Sequence, residues 1–100
     1  MDSHAYDEKT AELIERCMEL VQKLDPETNR VFRLLKKRAV ELDDNDLMGF
    51  VYYYQAYMSY YSGGGSHTFR DGLTKSIRCL LRGSDREMLA NAYNFVAVDA

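Results

Sequence analysis

One proline in 100 residues, and apolar side chains recurring at steps of three and four, leave this chain little choice but helix. From about Asp7 to Leu24 the residues Leu13, Ile14, Cys17, Met18, Val21 and Leu24 share a helical face. Glu12, Glu15, Glu19 and Lys23 lie largely opposite them. Asp25-Pro26 breaks the pattern, and a second helix is expected from Pro26, where proline at the first helical position gives up no hydrogen bond. Its stripe is Val31, Phe32, Leu34, Leu35, Ala39 and Leu42. The acidic run from Asp43 to Asp46 offers caps for a third helix from about Asn45 to Tyr61. Gly63-Gly64-Gly65 costs too much backbone entropy to be helical and reads as a loop. Ser66 is then expected to cap a fourth helix carrying Phe69, Leu73, Ile77, Leu80 and Leu81, ended by Gly83. Ser84-Asp85-Arg86-Glu87 has the form of a capping box for a fifth, with Met88, Leu89, Ala92, Phe95 and Val96 on one face.

Composition narrows the class further. With 46% hydrophobic residues the chain can build one modest core. Sixteen acidic against 13 basic residues, a net charge of −3, argue against a disordered acidic tail and against a general nucleic-acid binder. Cys17 and Cys79 are too far apart for a disulfide framework or a metal cluster, so both are expected to be reduced core thiols. No apolar run approaches the roughly 20 residues that span a bilayer, and Met1 to Lys9 is polar and acidic, unlike a secretory leader. A cytoplasmic setting is the default expectation, and residues 1–6 are expected to be frayed.

The chain also repeats itself. Moved by 41 positions, Asp44–Tyr57 lies over Asp85–Val98, so that Gly49 falls on Ala90, Tyr52 on Tyr93, Tyr54 on Phe95 and Ala56 on Ala97. Small residues meet small ones and aromatics meet aromatics. A period near 40 with two helices per unit marks an α-solenoid. Tyr93-Asn94-Phe95-Val96-Ala97 resembles the first-helix signature of a tetratricopeptide repeat (TPR), in which a small residue follows an aromatic by four. Phe69, Gly72, Cys79 and Leu80 are similar to the second-helix pattern. The resemblance covers about residues 44 to 100, and residues 7 to 42 only by helix order. The period exceeds the usual 34, the turn is lengthened by glycines, and Gly83-Ser84 stands where the family has a terminal proline. As a whole, the segment from Arg33 to Gly64 and the later Ala90-Asn91-Ala92-Tyr93 resemble helical segments at the N-termini of bacterial signalling proteins. In several of those the output is a GGDEF-type diguanylate cyclase, which the resemblance would place beyond Ala100 as a catalytic part that this chain regulates.

The expected fold is therefore all-α, a short α-solenoid of antiparallel, TPR-like hairpins with about five helices. Residues 7–42 form the first hairpin, 44–82 the second, and 84–100 the first helix of an incomplete third. Because no closing glycine, basic turn or proline follows, the last helix reads as an open edge. That edge is expected to be covered by more chain or by a second copy, which admits a homodimer.

Six of the eight tyrosines fall between positions 52 and 61. Tyr53, Tyr57, Tyr60 and Tyr61 share a broad helical face, while Tyr52 sits with Ala56 toward the hairpin partner. Successive helical residues are about 100° apart, so three adjacent tyrosines cannot all point inward. A binding groove of Tyr53, Tyr57 and Tyr60, aided by Asn94, would offer contact area with a polar tip to a protein or peptide partner, or to an output domain of the same polypeptide. Packing of the same rings between helices is the competing account. An alternative site is the basic run Arg30, Arg33, Lys36 and Lys37, an anion or nucleic-acid footprint if it is not simply a solvated face. Arg70, Lys75, Arg78, Arg82 and Arg86 form a second, more spread set. His4 and His67 are isolated, the glycine run lacks the lysine-serine end of a P-loop, and no catalytic or metal motif appears. The chain reads as a non-catalytic module without cofactor or membrane contact.

Overall fold

A computed structural model, described over residues 5–63 and 65–98, shows five α-helices and no strand among those residues. They are α1 (Glu8–Gln22), α2 (Thr28–Leu42), α3 (Asn45–Tyr61), α4 (Ser66–Arg82) and α5 (Arg86–Val98). Each helix packs on its neighbour in sequence, and α3 with α4 makes the largest contact. This succession of hairpins is a short solenoid-like array, about 37 × 28 × 18 Å.

Local chemistry explains where each helix starts. Asp44 Oδ1 accepts the Leu47 amide at 2.9 Å at the head of α3, as its position in the acidic run leads one to expect. Asp85 Oδ1 accepts the Met88 amide at 3.1 Å at the head of α5. The two capping bonds lie 41 residues apart (85 − 44), so the sequence repeat is a repeat of structure as well. Three expected starts are corrected. The helix after Pro26 begins at Thr28, because Asp25 Oδ1 takes the Glu27 amide and the Asp25 carbonyl takes the Thr28 amide and hydroxyl, holding Pro26-Glu27 in a turn. Gly65, not Ser66, occupies the cap position of α4. Ser84 does not cap α5, since its amide and hydroxyl both donate to Asp46, and Asp85 takes over the cap.

Helices α1 and α2 end alike. The Asp25 amide reaches back to the Leu20 carbonyl and the Asp44 amide to the Ala39 carbonyl, with Leu24 (φ 52°) and Asp43 (φ 50°) in the left-handed region between. Both turns manage this without glycine, which would adopt that conformation at lower cost.

The main core joins Ile14, Cys17, Leu20 and Val21 of α1 to Val31, Phe32 and Leu35 of α2, to Leu47, Phe50 and Val51 of α3, and on to Leu80 of α4 and Met88, Leu89 and Ala92 of α5. A smaller cluster of Ala56, Phe69, Leu73 and Phe95 ties α3, α4 and α5. Leu24, Leu34, Leu42, Leu81 and Val96, all read as stripe residues, lie exposed instead, because a single layer of hairpins has no second layer to cover the edges of wide stripes. Conversely Thr10, Thr28 and Ser76 are buried, each with its hydroxyl bonded. Cys17 is fully buried and Cys79 half-buried, and both are free thiols. Tyr6, read as part of a frayed start, packs on the core near the Asp44 carboxylate; Met1 to His4 lie outside the described residues.

Close backbone approach binds α3 to α4. A Cβ on Gly49 would lie 2.6 Å from Leu80 Cγ, and the Ser76 hydroxyl donates to the Gly49 carbonyl at 2.7 Å. Gly72 rests on Ala56, where a Cβ would meet Ala56 Cβ at 3.1 Å. The next joint is electrostatic: Asp46 accepts from the Ser84 and Asp85 amides at 2.9–3.0 Å and from the Ser84 hydroxyl at 3.1 Å. On α5, Ala90, Tyr93 and Ala97 occupy the register that Gly49, Tyr52 and Ala56 hold on α3, and all three are exposed. The fifth helix thus presents an open edge among the described residues.

Candidate functional site

Phe95 organises the tyrosine face. Its ring is nearly buried and lies 5.7 Å from Tyr53, 6.0 Å from Tyr57, 5.5 Å from Tyr60, 6.4 Å from Tyr61 and 4.8 Å from Phe69. Such offset and edge-on pairs at 4.5–7 Å are favourable beyond their area. Much of the tyrosine excess is therefore spent on seating α5 against α3. Tyr54 turns the other way, onto Phe50 at 4.9 Å and toward Cys17 of α1. Tyr52 faces the α2 and α4 side, as its place beside Ala56 leads one to expect.

The rings are not all consumed by packing. Tyr53, Tyr57 and Tyr61 of α3 line one shallow cavity of about 240 Å³ with Asn91, Asn94, Phe95 and Val98 of α5. Three of the four expected groove residues, Tyr53, Tyr57 and Asn94, come together there. Tyr60 does not line it; its ring stacks on Phe69 at 4.9 Å, and it is exposed at its edge. Tyr61 and Asn91 complete the cavity. Tyr61 lies one turn beyond Tyr57 and was visible as part of the same face, whereas Asn91 had no signal except its place three residues before Asn94. Burial, with Tyr57 and Tyr61 nearby, holds the Tyr53 phenol above its ordinary range, and burial pushes Tyr54 up to about 12. Both hydroxyls are neutral donors at physiological pH.

The basic run on α2 is split by the fold. Arg30 is tied to Glu27 at 2.9 Å, and Arg33 points to solvent. Lys37 lines a groove between α1 and α2 together with Arg38. Arg38 itself is engaged by Asp7, Glu41 and the Thr10 hydroxyl. Lys36 leaves that face altogether and stands 4.5 Å over the Tyr52 ring. Lys36 thus stands apart from Arg30, Arg33 and Lys37, which are exposed along α2.

A second cavity, about 510 Å³, opens between α2, α3 and α4 beside Lys36, Tyr52 and Lys75. Its signal in the sequence was weak, since it depends on residues from three helices meeting. Among the described residues no group of His, Cys, Asp and Glu could hold a metal ion, and no helix is long and apolar enough to cross a membrane. His67 is exposed, and His4 lies outside the described residues. The chain matches no family model, no curated protein and no solved structure.

Proposed function

We propose that this chain is a non-catalytic, TPR-like recognition module whose binding face is the tyrosine and asparagine surface shared by α3 and α5. The observation that carries the reading is the convergence of Tyr53, Tyr57 and Tyr61 with Asn91 and Asn94 on one open cavity. Half-buried phenol rings give a rigid floor at low entropic cost, and the two amides, one helical turn apart, can donate to and accept from a peptide backbone. The occupant is an extended peptide, from a partner protein or from an output domain of the same polypeptide. Because Phe95 is held by α3 rings and carried on α5, an occupant gripping both helices favours one setting of α5 over others. In a signalling protein of the kind the sequence resembles, α5 would pass that setting to an output such as a GGDEF-type diguanylate cyclase, in the cytoplasm.

Selection of a random peptide library against the immobilised domain tests the reading. Selected peptides are expected to bind Asn94→Ala and Tyr57→Ala at least about tenfold more weakly, a loss of about 1.4 kcal/mol. Asn94 is exposed, so its truncation leaves the fold intact. No enrichment, or selected peptides that bind wild type and Asn94→Ala equally, would overturn the assignment.

A further inference from the structure

The cleft between α2, α3 and α4 carries a second inference, independent of the tyrosine face. Lys36 of α2 stands 4.5 Å from the centroid of the Tyr52 ring, and Lys75 of α4 stands 5.8 Å from the same centroid. Two ammonium groups from different helices are thus drawn to one aromatic ring, which attracts cations within about 6 Å. Their compensation is incomplete. Lys75 pairs with Asp71 at 3.0 Å, whereas Lys36 forms no ion pair among the described residues, and the charge it feels is that of Lys75. Burial and this like charge both lower the Lys36 ammonium's pKa from its ordinary value. An anion between the two lysines would relieve both penalties.

Beyond the lysines the cleft extends to about 510 Å³, far more than an inorganic anion fills. Its lining changes character along the way. Asn29, Gln55 and Ser59 offer amide and hydroxyl groups with no intramolecular partner among the described residues, and Phe32, Pro26 and Met58 supply apolar wall. Asp71 is the one carboxylate among the described residues of the lining, and it is already bound to Lys75.

We propose that this cleft is a binding site for a small phosphate monoester, its dianionic head held between Lys36 and Lys75 beside Tyr52 and its neutral body lying against Asn29, Gln55 and Ser59. A dianion suits two ammonium groups better than a monocarboxylate does, and the room behind them calls for a body of nucleoside size. Lysine serves here as a point charge rather than a planar fork, so the site reads charge at one end and shape at the other.

Calorimetric titration of the intact chain with inorganic phosphate, AMP and adenosine at low ionic strength tests it. AMP is expected to bind at least about tenfold tighter than inorganic phosphate, adenosine not measurably, and added salt to weaken AMP. Lys36→Gln and Lys75→Gln are each expected to weaken AMP about fivefold or more, and the double variant to abolish binding, while Lys36→Arg retains it. Asn94→Ala, on the other surface, should bind AMP as the wild type does. Thermal melts check that each variant is folded; the Lys75–Asp71 pair is half-exposed and worth little to stability. Wild-type affinity in both glutamine variants, or no binding of either phosphate compound, overturns the site. Equal affinity for AMP and inorganic phosphate overturns the role given to the body of the cleft.

Discussion

Asp46 is the residue on which the joint between the second hairpin and α5 turns, and its contribution can be worked out in advance. Its carboxylate sits in the first turn of α3 and accepts three donors 38 and 39 residues away, the Ser84 amide, the Ser84 hydroxyl and the Asp85 amide. Hydrogen bonds to a charged group contribute about 1.5–3 kcal/mol each when buried, and about 1 kcal/mol each at a half-exposed site such as this. Asp46→Ala should therefore cost about 2–3 kcal/mol of a total near 5–15 kcal/mol for a chain of this size. That corresponds to a fall in Tm of roughly 10–20 °C. Gly83 supplies the second half of the test. Its φ of −98° is open to any residue, yet a Cβ there would stand 1.9 Å from Asp46 Oδ1. Gly83→Ala must push Asp46 off its donors, so it should cost about as much as Asp46→Ala itself, roughly 2–3 kcal/mol. In the Asp46→Ala background the same change should cost almost nothing. Urea unfolding followed by far-ultraviolet circular dichroism gives the four free energies. A coupling of about 2 kcal/mol is expected, and additivity within about 0.5 kcal/mol would refute the account.

The remaining expectations concern packing, turns, thiols and acid. Gly49→Ala gains about 1 kcal/mol of helix propensity but forces a methyl to 2.6 Å from Leu80 Cγ and 3.2 Å from the Ser76 carbonyl; overpacking of about 1–3 kcal/mol wins, and an unfolding midpoint at or above wild type would contradict this. Asp43→Gly, at an exposed left-handed position, should stabilise by about 0.5–1 kcal/mol in the same assay, and no gain would mean the turn carries no strain. Burial pushes the Cys17 thiol up to about 12, so a disulfide reagent at mildly alkaline pH should modify half-buried Cys79 first and Cys17 at least about a hundredfold more slowly; equal rates would show that α1 opens. A hydrogen bond from Thr10, then one from Arg38, holds the Asp7 carboxyl below its ordinary range. Its folded pKa is thus the lower one, so its stabilisation is present above the unfolded value and is lost as pH falls through the folded value. Asp7→Asn should flatten that acid-side loss in thermal melts against pH, and an unchanged profile would assign it to other carboxylates.

Helix periodicity was legible because it needs only the three-and-four spacing of side chains along one strand of chain. The third helix was expected from Asn45 to about Tyr61, and α3 is Asn45–Tyr61, since the Asp44 cap and the glycine run both act within a few residues. The capping of α5 was misread at Ser84 because the competitor for Ser84, the Asp46 carboxylate, lies 38 residues away and no local rule can see it. The tyrosine face shows the same division. That Tyr53, Tyr57 and Tyr61 share a side of α3 is arithmetic on a helix, but that Phe95 consumes part of that side depends on where α5 lands.

Sequence by itself determined the elements of this protein: all-α class, five helices, their order and the 41-residue echo between α3 and α5, all set by short-range sterics, capping and apolar spacing. Tertiary structure alone decided which charges and rings meet. Lys36 was one of a basic row until the fold turned it onto the Tyr52 ring that Lys75 also approaches, and Asp46 was one of three aspartates between positions 43 and 46 until the α4–α5 turn arrived beside it. The reason is physical: a helix is stabilised by neighbours three and four residues apart, whereas a cleft is formed by side chains that only the packing of separate helices brings together.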